Sequence, residues 1–373
     1  MSHIYQQKKH HEQTREDRFE SYFYKLRKFH NSIKKILYDK YCKNIDNLLE
    51  LASGKSGDMQ KWVSNDIKHV VGYDIDNNSI EEGKRRVKEA KLRIKGNFPR
   101  VELYVKDLSK NVILPIDNNL FDVISSQFAF HYFFESEETF NTILESIKLN
   151  IKPDGLFMGT MFDGKSLLNL KNPESNIVEL TDKDVRFRLN FFPSLTTESL
   201  FGKKVSVYIK DTVLDEPMVE YLVDFESFVN LMMKNDFELI ETKMFESFYS
   251  NYVNASNELN SLQKEISFLN RTFVFQYKGY KGYKGSTQKC KEQTEYLTEC
   301  EWSNEEYNII VLYKYIKALD NKINSSLNEI KEKLLYIKYN FLHPETILEK
   351  ESVSDDIKLY YKHIRSMYLS ELH

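Results

Sequence analysis

Residues 47–58 read NLLELASGKSGD, and this stretch decides the fold. Its apolar run predicts a short buried strand over Asp46–Ala52, and the residues that follow predict a helix over Asp58–Ser64. Between the two lies a turn with Gly54 and Gly57, which allow tight turning and close approach of a ligand to the backbone. A strand, a glycine turn and a helix N-terminus in this order indicate a ligand-binding α/β unit.

The same alternation continues outward from this unit. Further strands are predicted at Lys68–Tyr73, Arg100–Lys106, Phe121–Ser126 and Gly155–Phe162, with helices at Asn78–Ile94 and Glu137–Ile151. Five strands alternating with helices within about 120 residues predict an α/β fold with a doubly wound, mainly parallel, Rossmann-like sheet.

The flanking segments follow other patterns. Residues 12–43 lack Gly and Pro and predict one amphipathic helix, whereas residues 163–210 are irregular. An inserted β-rich region is predicted from strands near 204–213, 218–223 and 237–245 and a helix near 224–235.

The end of the chain is predicted to be helical. Tyr277–Gly285 reads YKGYKGYKG and predicts a flexible loop, within a low-complexity stretch at 277–290. A strand is predicted at Tyr307–Tyr315, and beyond it two amphipathic helices predict a hairpin, favoured as a structural cap over a partner-binding element. The predicted division is a basic helical segment at 1–44, a main domain at 45–315 and a helical extension at 316–373.

Composition excludes several classes of protein. With 41% hydrophobic residues but only 12 Gly and 7 Pro in 373 residues, the chain fits neither a disordered nor a collagen-like protein. No apolar run approaches the roughly 18 residues that span a bilayer, so no membrane partner is expected. Three Cys without a C-x-x-C pair predict neither a disulfide framework nor a cysteine zinc site, and favour a reducing compartment.

Positive charge is concentrated near the N-terminus, although the net charge is only −3. Residues 1–45 hold 11 Lys/Arg and 5 Asp/Glu, a local excess of 11 − 5 = +6, and a second basic run lies at 84–95. Solvated helix faces commonly carry such runs. A polyanionic partner is the alternative interpretation.

Acidic residues near the glycine turn indicate the kind of cofactor. Asp74 ends the second predicted strand, where it can accept hydrogen bonds from both hydroxyls of a ribose. A dinucleotide fingerprint would need G-x-G-x-x-G, and its first position is Ala52 here. Glu50 before the turn and Asp107 after the third strand fit S-adenosylmethionine better, since its amino groups need acceptors and it has no pyrophosphate. Asp107 taken alone could instead cap a turn.

The fourth predicted strand ends in SSQFAFHYFFE, residues 125–135, at the carboxyl edge of the sheet. Gln127, His131 and Tyr132 place three hydrogen-bonding side chains among four Phe. Flat aromatic faces with polar edges suit a nucleobase, although aromatic residues and a lone His are often only core.

Several blocks together carry a family resemblance, from about residue 20 to 315. They are FYKLRKFHNSIKKIL, ELASGKSGDMQKW, FDVISSQFAFHYFFE, IKPDGLFMGT, VEYLVDFESF, FESFYSNY and, more faintly, EWSNEEYNIIVLY. The chain resembles the eukaryotic and viral mRNA cap guanine-N7 methyltransferases, a branch of the class I S-adenosylmethionine-dependent enzymes. The resemblance implies methyl transfer to N7 of the cap guanosine, without a metal, and implies a nucleic-acid partner.

The site residues follow from the residues above and from this resemblance. Predicted cofactor-binding residues are Lys34, Glu50, Ala52, Gly54, Asp58, Asp74, Asp107, Gln127 and Tyr132. Predicted cap-binding residues are His30, Asn31, Lys55, Lys61, Arg86, His131, Glu220 and Tyr307. Lys55, Lys61 and Arg86 suit phosphates, and Glu220 can accept from the N1 and N2 edge of guanine.

Two positions depart from the family pattern. Ala52 replaces the first turn glycine, and Val207 stands where the family has an aromatic residue against the base, so that Tyr208 is a candidate substitute for stacking. Because guanine N7 has a free lone pair and the sulfonium is already activated, no general base is expected.

The resemblance further implies capped RNA as substrate, a nuclear location, a monomer, and capping guanylyltransferase or RNA polymerase II as partners. The alternatives are a class I methyltransferase for another substrate and a non-catalytic subunit that binds RNA or other partners.

Overall fold

The computed structural model describes residues 20–113, 120–193, 199–210 and 217–279, and the statements below concern these residues. The strands are β1 (Asn47–Leu51), β2 (His69–Asp74), β3 (Arg100–Val105), β4 (Phe121–Gln127), β5 (Ile151–Phe162), β6 (Ile177–Asp182), β7 (Asp184–Phe191), β8 (Lys204–Ile209), β9 (Met218–Tyr221), β10 (Phe237–Met244) and β11 (Asn270–Tyr277). The helices are α1 (Tyr24–Tyr41), α2 (Met59–Ser64), α3 (Asn77–Arg93), α4 (Glu137–Asn150), α5 (Gly164–Asn169), α6 (Phe225–Met233), α7 (Glu246–Tyr252) and α8 (Ser261–Phe268), with a 3₁₀ helix at Phe130–Glu135.

A seven-stranded sheet forms the centre, in the order β3-β2-β1-β4-β5-β11-β10. Strands β1 to β5 are parallel to one another, and β11 runs antiparallel between β5 and β10. The run Leu48–Leu51 is buried, as expected for a strand covered on both faces. The predicted doubly wound α/β sheet is therefore confirmed. Its strand order reverses between β1 and β4, which opens a crevice at their carboxyl ends.

A second sheet of four antiparallel strands follows, in the order β6-β7-β8-β9. Phe187, Leu189 and Phe191 alternate along β7, and they pack with α1 residues such as Phe29 and Ile33 in one apolar cluster. Strands β6 and β7 lie in the stretch predicted to be irregular. Polar and apolar residues alternate along β7, which is the pattern of a half-buried strand, so this strand could have been predicted from the sequence.

Helix α1 is shorter than predicted. The helix begins at Tyr24, whose N–H bonds the carbonyl of Ser21 in a preceding turn, and residues 12–19 of the predicted helix lie outside the described residues. Leu26, Phe29 and Ile33 are buried at helical spacing, so the predicted amphipathic face is confirmed for the described part. Within the described residues, no helix has both the length and the apolar character needed to span a bilayer.

The final described strand, β11, was not anticipated from the sequence. Its run RTFVFQY pairs along β5 on one side and β10 on the other, and Phe273 and Phe275 are fully buried there. The predicted strand at Tyr307–Tyr315 and the C-terminal helical hairpin lie outside the described residues, as does the YKG repeat from residue 280 onward.

Candidate active site

The turn after β1 adopts an unusual backbone conformation. Ala52, Gly54 and Ser56 have φ of 58°, 52° and 55°, in the left-handed region that favours glycine. Nothing lies within 4 Å of the position that a Cβ on Gly54 would take, so the space over the turn is open. The conformation explains why glycine is the expected residue at position 52. Ala52 is accommodated there with strain of about 1 kcal/mol.

Asp74, at the carboxyl end of β2, faces this turn. Its Oδ2 accepts from the N–H of Gly54 at 2.7 Å, and its Oδ1 accepts from the N–H of Asp76 at 2.9 Å. Burial raises the pKa of Asp74 above its ordinary value. The carboxylate thus ties β2 to the turn, and its remaining lone pairs can accept from a ligand in the open space.

A buried ionic cluster joins α1 to the start of α2. Asp58 accepts from Lys34 at 2.7 Å and from Lys61 at 2.7 Å, and Lys61 also donates to Oδ1 of Asn31 at 3.3 Å. Burial alone would raise the pKa of Asp58, but the two lysines hold it below its ordinary value. Two cations share one carboxylate, so the cluster has a net charge of +1 and can take a further anion.

The predicted adenine and methionine residues both have protein partners. Oδ1 of Asp107 accepts from the N–H of Ser109 at 3.1 Å and from its hydroxyl at 2.5 Å, which is the turn-capping role considered from the sequence. Gln127 donates from Nε2 to Oγ of Ser125 at 3.0 Å and accepts from the Thr160 hydroxyl at 3.1 Å. Both side chains are partly exposed at the carboxyl ends of their strands.

The 3₁₀ helix after β4 meets β9 in a second polar group. Oε1 of Glu220 accepts from the Tyr132 hydroxyl at 3.4 Å, and its Oε2 lies 3.2 Å from Nε2 of His131. Burial raises the pKa of Glu220 to about 8 and lowers the pKa of His131 to about 3. The His131 ring and the Glu220 carboxyl group are therefore largely uncharged at neutral pH. Nδ1 of His131 has no hydrogen-bond partner among the described residues, and Nε2 lies near Glu220 but outside hydrogen-bond geometry, so this polar group can still bind a ligand.

Other predicted residues lie at the margins of this arrangement. Arg86 on α3 donates to Glu82 at 2.7 Å and to the carbonyl of Lys55 at 3.4 Å, which places the two predicted phosphate residues side by side. His30 is enclosed: its Nε2 lies 2.9 Å from Oγ of Ser267 and its ring stacks on Phe128 at 5.2 Å. Burial, and then nearby Lys34, lowers the pKa of His30 to about 3.

Tyr208 does not replace the missing aromatic residue at position 207. Val205 pairs with Glu220 across β8 and β9, so Val207, two residues on, shares the Glu220 face of the sheet. Tyr208 points to the opposite face, where it lines a groove with Arg188 and Asn190. Tyr208 therefore cannot stack on a base that contacts Glu220. Tyr307 lies outside the described residues.

Two features of the site were not found from the sequence. Phe128 has φ of 58°, and its N–H bonds the carbonyl of Thr160 at 2.8 Å, so the chain turns sharply directly after Gln127. Glu50 is buried and accepts from Trp62 at 2.9 Å and from the hydroxyl of Tyr38. No sequence motif marks these contacts, because they join residues from separate elements. Within the described residues, no group of three or more His, Cys, Asp or Glu is placed to hold a metal ion.

Comparison with known proteins gives a consistent result. A family model described as "mRNA (guanine-N(7))-methyltransferase domain" matches residues 1–325. The chain is 30% identical over 252 residues to an mRNA cap guanine-N(7) methyltransferase of Eremothecium gossypii, covering 60% of this chain and 54% of that protein. It is 32% identical over 251 residues to mRNA cap guanine-N(7) methyltransferase 1 of Arabidopsis thaliana, covering 65% of this chain and 66% of that protein.

Among solved structures, the chain is similar to an S-adenosylmethionine-dependent methyltransferase from Clostridium acetobutylicum. The identity is 15% and the TM-score 0.44, covering 70% of this chain and 94% of that chain. The chain thus spans between about half and two thirds of the two curated relatives named above.

Proposed function

The chain belongs to the mRNA (guanine-N7)-methyltransferase family, and we propose that it transfers a methyl group from S-adenosylmethionine to N7 of the cap guanosine of RNA. The observation that carries the proposal is the pocket at the end of β4, where Glu220, His131 and Tyr132 converge. It adjoins the crevice of a doubly wound sheet, where such folds bind ligands.

The pocket suits guanine for a chemical reason. Guanine presents two N–H donors on its N1 and N2 edge and an acceptor at O6, and Glu220 supplies acceptor oxygens for the donors. Nδ1 of the buried His131 ring has no hydrogen-bond partner among the described residues, and a polar base edge can satisfy it. Adenine has an acceptor at N1, so it would leave the carboxylate without that donor.

The residues around the turn fit S-adenosylmethionine. The open space over Gly54 leaves room for a ligand against the backbone, and Asp74 is placed to accept from ribose hydroxyls. Lys34 and Gln127 are proposed to hold the methionine end, and Asp107 the adenine end. The bound cofactor supplies an activated methyl group; the protein residues orient it.

The phosphates of the cap are proposed to lie along the basic side of the site. Lys61 is a member of the cluster with net positive charge, and Arg86 contacts the Lys55 carbonyl, so three cationic side chains border the turn. Arg86 is held by Glu82 at 2.7 Å, which orients its guanidinium. Charged donors of this kind bind phosphate oxygens strongly.

Catalysis then requires positioning and no proton transfer. Guanine N7 has a free lone pair at neutral pH, so no residue has to remove a proton. The rate arises from holding N7, the methyl group and sulfur in line at near-attack distance, and from a site that favours charge moving onto the base. Accordingly no residue is assigned as a general acid or base.

The biological setting follows from this proposed activity. The substrate is proposed to be the GpppN end of RNA, the chain to act as a nuclear monomer, and capping guanylyltransferase or RNA polymerase II to be partners. The predicted division into segments 1–44, 45–315 and 316–373 is kept as part of the proposal.

One variant tests the role of the pocket. Glu220→Ala should cut turnover of a GpppA-capped RNA severely, while the affinity for S-adenosylmethionine measured by calorimetry stays close to that of the unaltered chain. If turnover and cofactor affinity fell by the same factor, the role of Glu220 in cap binding would be refuted. Cofactor binding without any methyl transfer, in the unaltered chain, would instead favour a non-catalytic binding subunit.

A further inference from the structure

A continuous chain of buried polar groups runs behind the cofactor crevice. Trp62 donates from its ring N–H to Oε1 of Glu50 at 2.9 Å, and the Tyr38 hydroxyl donates to the same oxygen. The Tyr38 oxygen lies 3.1 Å from Oγ of Ser125, which accepts from Gln127 at 3.0 Å. Glu50 is 3% exposed, and Tyr38 and Ser125 are fully buried.

The carboxylate at one end sets the direction of every hydrogen bond. An ionised carboxylate only accepts, so the single Tyr38 proton points to Glu50. The Ser125 hydroxyl then donates to the Tyr38 oxygen or to Glu50, and in either case its own oxygen is left to accept the amide N–H of Gln127. At the other side, the Thr160 hydroxyl donates to Oε1 of Gln127 at 3.1 Å. The amide is therefore held in one of its two orientations.

We propose that Tyr38 and Glu50 are positioning residues, which fix the amide orientation of Gln127 for the cofactor through Ser125. This inference rests on the proposed function, because it assumes that Gln127 contacts S-adenosylmethionine. It changes the role predicted for Glu50, from a direct cofactor ligand to the acceptor that orients another residue. The second amide N–H and the second oxygen lone pair of Gln127 remain for the cofactor.

The surroundings of Glu50 make its charge sensitive to pH. Helix α1 contributes Tyr38 and Cys42, and the start of α2 contributes Asp58 and Lys61. Burial, and then the Asp58 charge, raises the pKa of Glu50 to about 7. Protonation gives the carboxyl group a donor of its own, so the fixed direction of the chain of hydrogen bonds is lost at lower pH.

The test is cofactor affinity in full-length variants that keep the shape of the side chains. Tyr38→Phe removes only the hydroxyl and is expected to weaken S-adenosylmethionine binding by about fivefold to tenfold, the effect of one buried hydrogen bond. Tyr41→Phe is the matched control: the same change on the same helix, outside this chain of hydrogen bonds. It should leave the affinity unchanged.

Glu50→Gln gives a second readout that a purely structural role would not move. In the unaltered chain, affinity for S-adenosylmethionine should fall as the pH drops below about 7, because Glu50 becomes protonated. Glu50→Gln should bind weakly at every pH and lack this dependence. Calorimetry with S-adenosylmethionine alone, and a melting curve of each variant, complete the experiment.

The outcomes separate the two proposals. If the unaltered chain binds S-adenosylmethionine while Tyr38→Phe and Glu50→Gln bind equally well, the positioning role is overturned. If the unaltered chain does not bind S-adenosylmethionine at all, the proposed function fails first. Weaker binding by both variants, with Tyr41→Phe unaffected and the pH dependence lost in Glu50→Gln, supports the inference.

Discussion

Binding of the guanine cap is expected to depend on pH through one carboxyl group. Burial raises the pKa of Glu220 to about 8, so most of the unliganded chain holds it as a neutral acid at neutral pH. Guanine N–H donors need the carboxylate, and binding therefore releases a proton. His131 has a pKa lowered to about 3, so its ring stays neutral at neutral and alkaline pH.

The magnitude follows from the fraction of ionised Glu220. Below the pKa this fraction falls about tenfold for each pH unit, and the apparent dissociation constant rises by the same factor. Between about pH 9 and about pH 6 the dissociation constant for a GpppA dinucleotide should therefore rise about a hundredfold. The triphosphate bridge of GpppA does not titrate in this interval, and loss of the guanine N1 proton near about pH 9 affects Glu220→Gln equally, so the difference between the two chains reports on Glu220.

Calorimetric titration with GpppA at several pH values measures this dependence, and buffers with different ionisation enthalpies count the released proton. Glu220→Gln is the control, because it keeps the shape of the side chain and cannot ionise. It should bind more weakly than the unaltered chain at alkaline pH and show little pH dependence. A dissociation constant that stays constant from about pH 6 to about pH 9, or an equal slope in Glu220→Gln, would refute the reasoning.

Three further predictions concern stability, each measured as the free energy of unfolding in urea. Ala52→Gly should raise it by about 1 kcal/mol, because Ala52 has φ of 58°, and an unchanged value would contradict strain in the turn. Asp58→Asn should lower it by about 3 kcal/mol, because it leaves partly buried Lys34 and buried Lys61 without their anion. Exposed Asp46→Asn is the near-neutral control, and equal effects of the two changes would show that the cluster does not stabilise the fold. Gly159→Ala should lower it by about 3 kcal/mol or more, since its Cβ would lie 2.2 Å from the Ser126 carbonyl oxygen, and a neutral result would mean that β4 and β5 can separate locally.

The central sheet could be predicted because its strands carry a strong signal. Strands β1, β2 and β4 are continuous buried runs, and each ends at a turn with Gly, Asp or a polar residue. The position of β11 could not be predicted, although its own sequence is strand-like. Its place between β5 and β10 depends on pairing across more than 100 residues of sequence, which no local pattern records.

The features of the candidate site also divide into those that could be predicted from the sequence and those that could not. Asp74 and Gln127 could be proposed because they end strands at one edge of the sheet, where residue type and position are enough. Two other features could not be predicted: the binding of two lysines to Asp58, and the contact of Tyr38 with Glu50. Both depend on how α1 packs against the turn after β1, which is a property of the tertiary structure.

The proposed activity is tested most directly by methyl transfer with the product position identified. The full chain would be incubated with radiolabelled S-adenosylmethionine and an RNA that has an unmethylated GpppA end, and the labelled cap would be released and identified by chromatography. The account predicts label on N7 of the cap guanine and none on an RNA with an ApppA end. Label on a ribose or an internal base, or equal labelling of both RNAs, would contradict it.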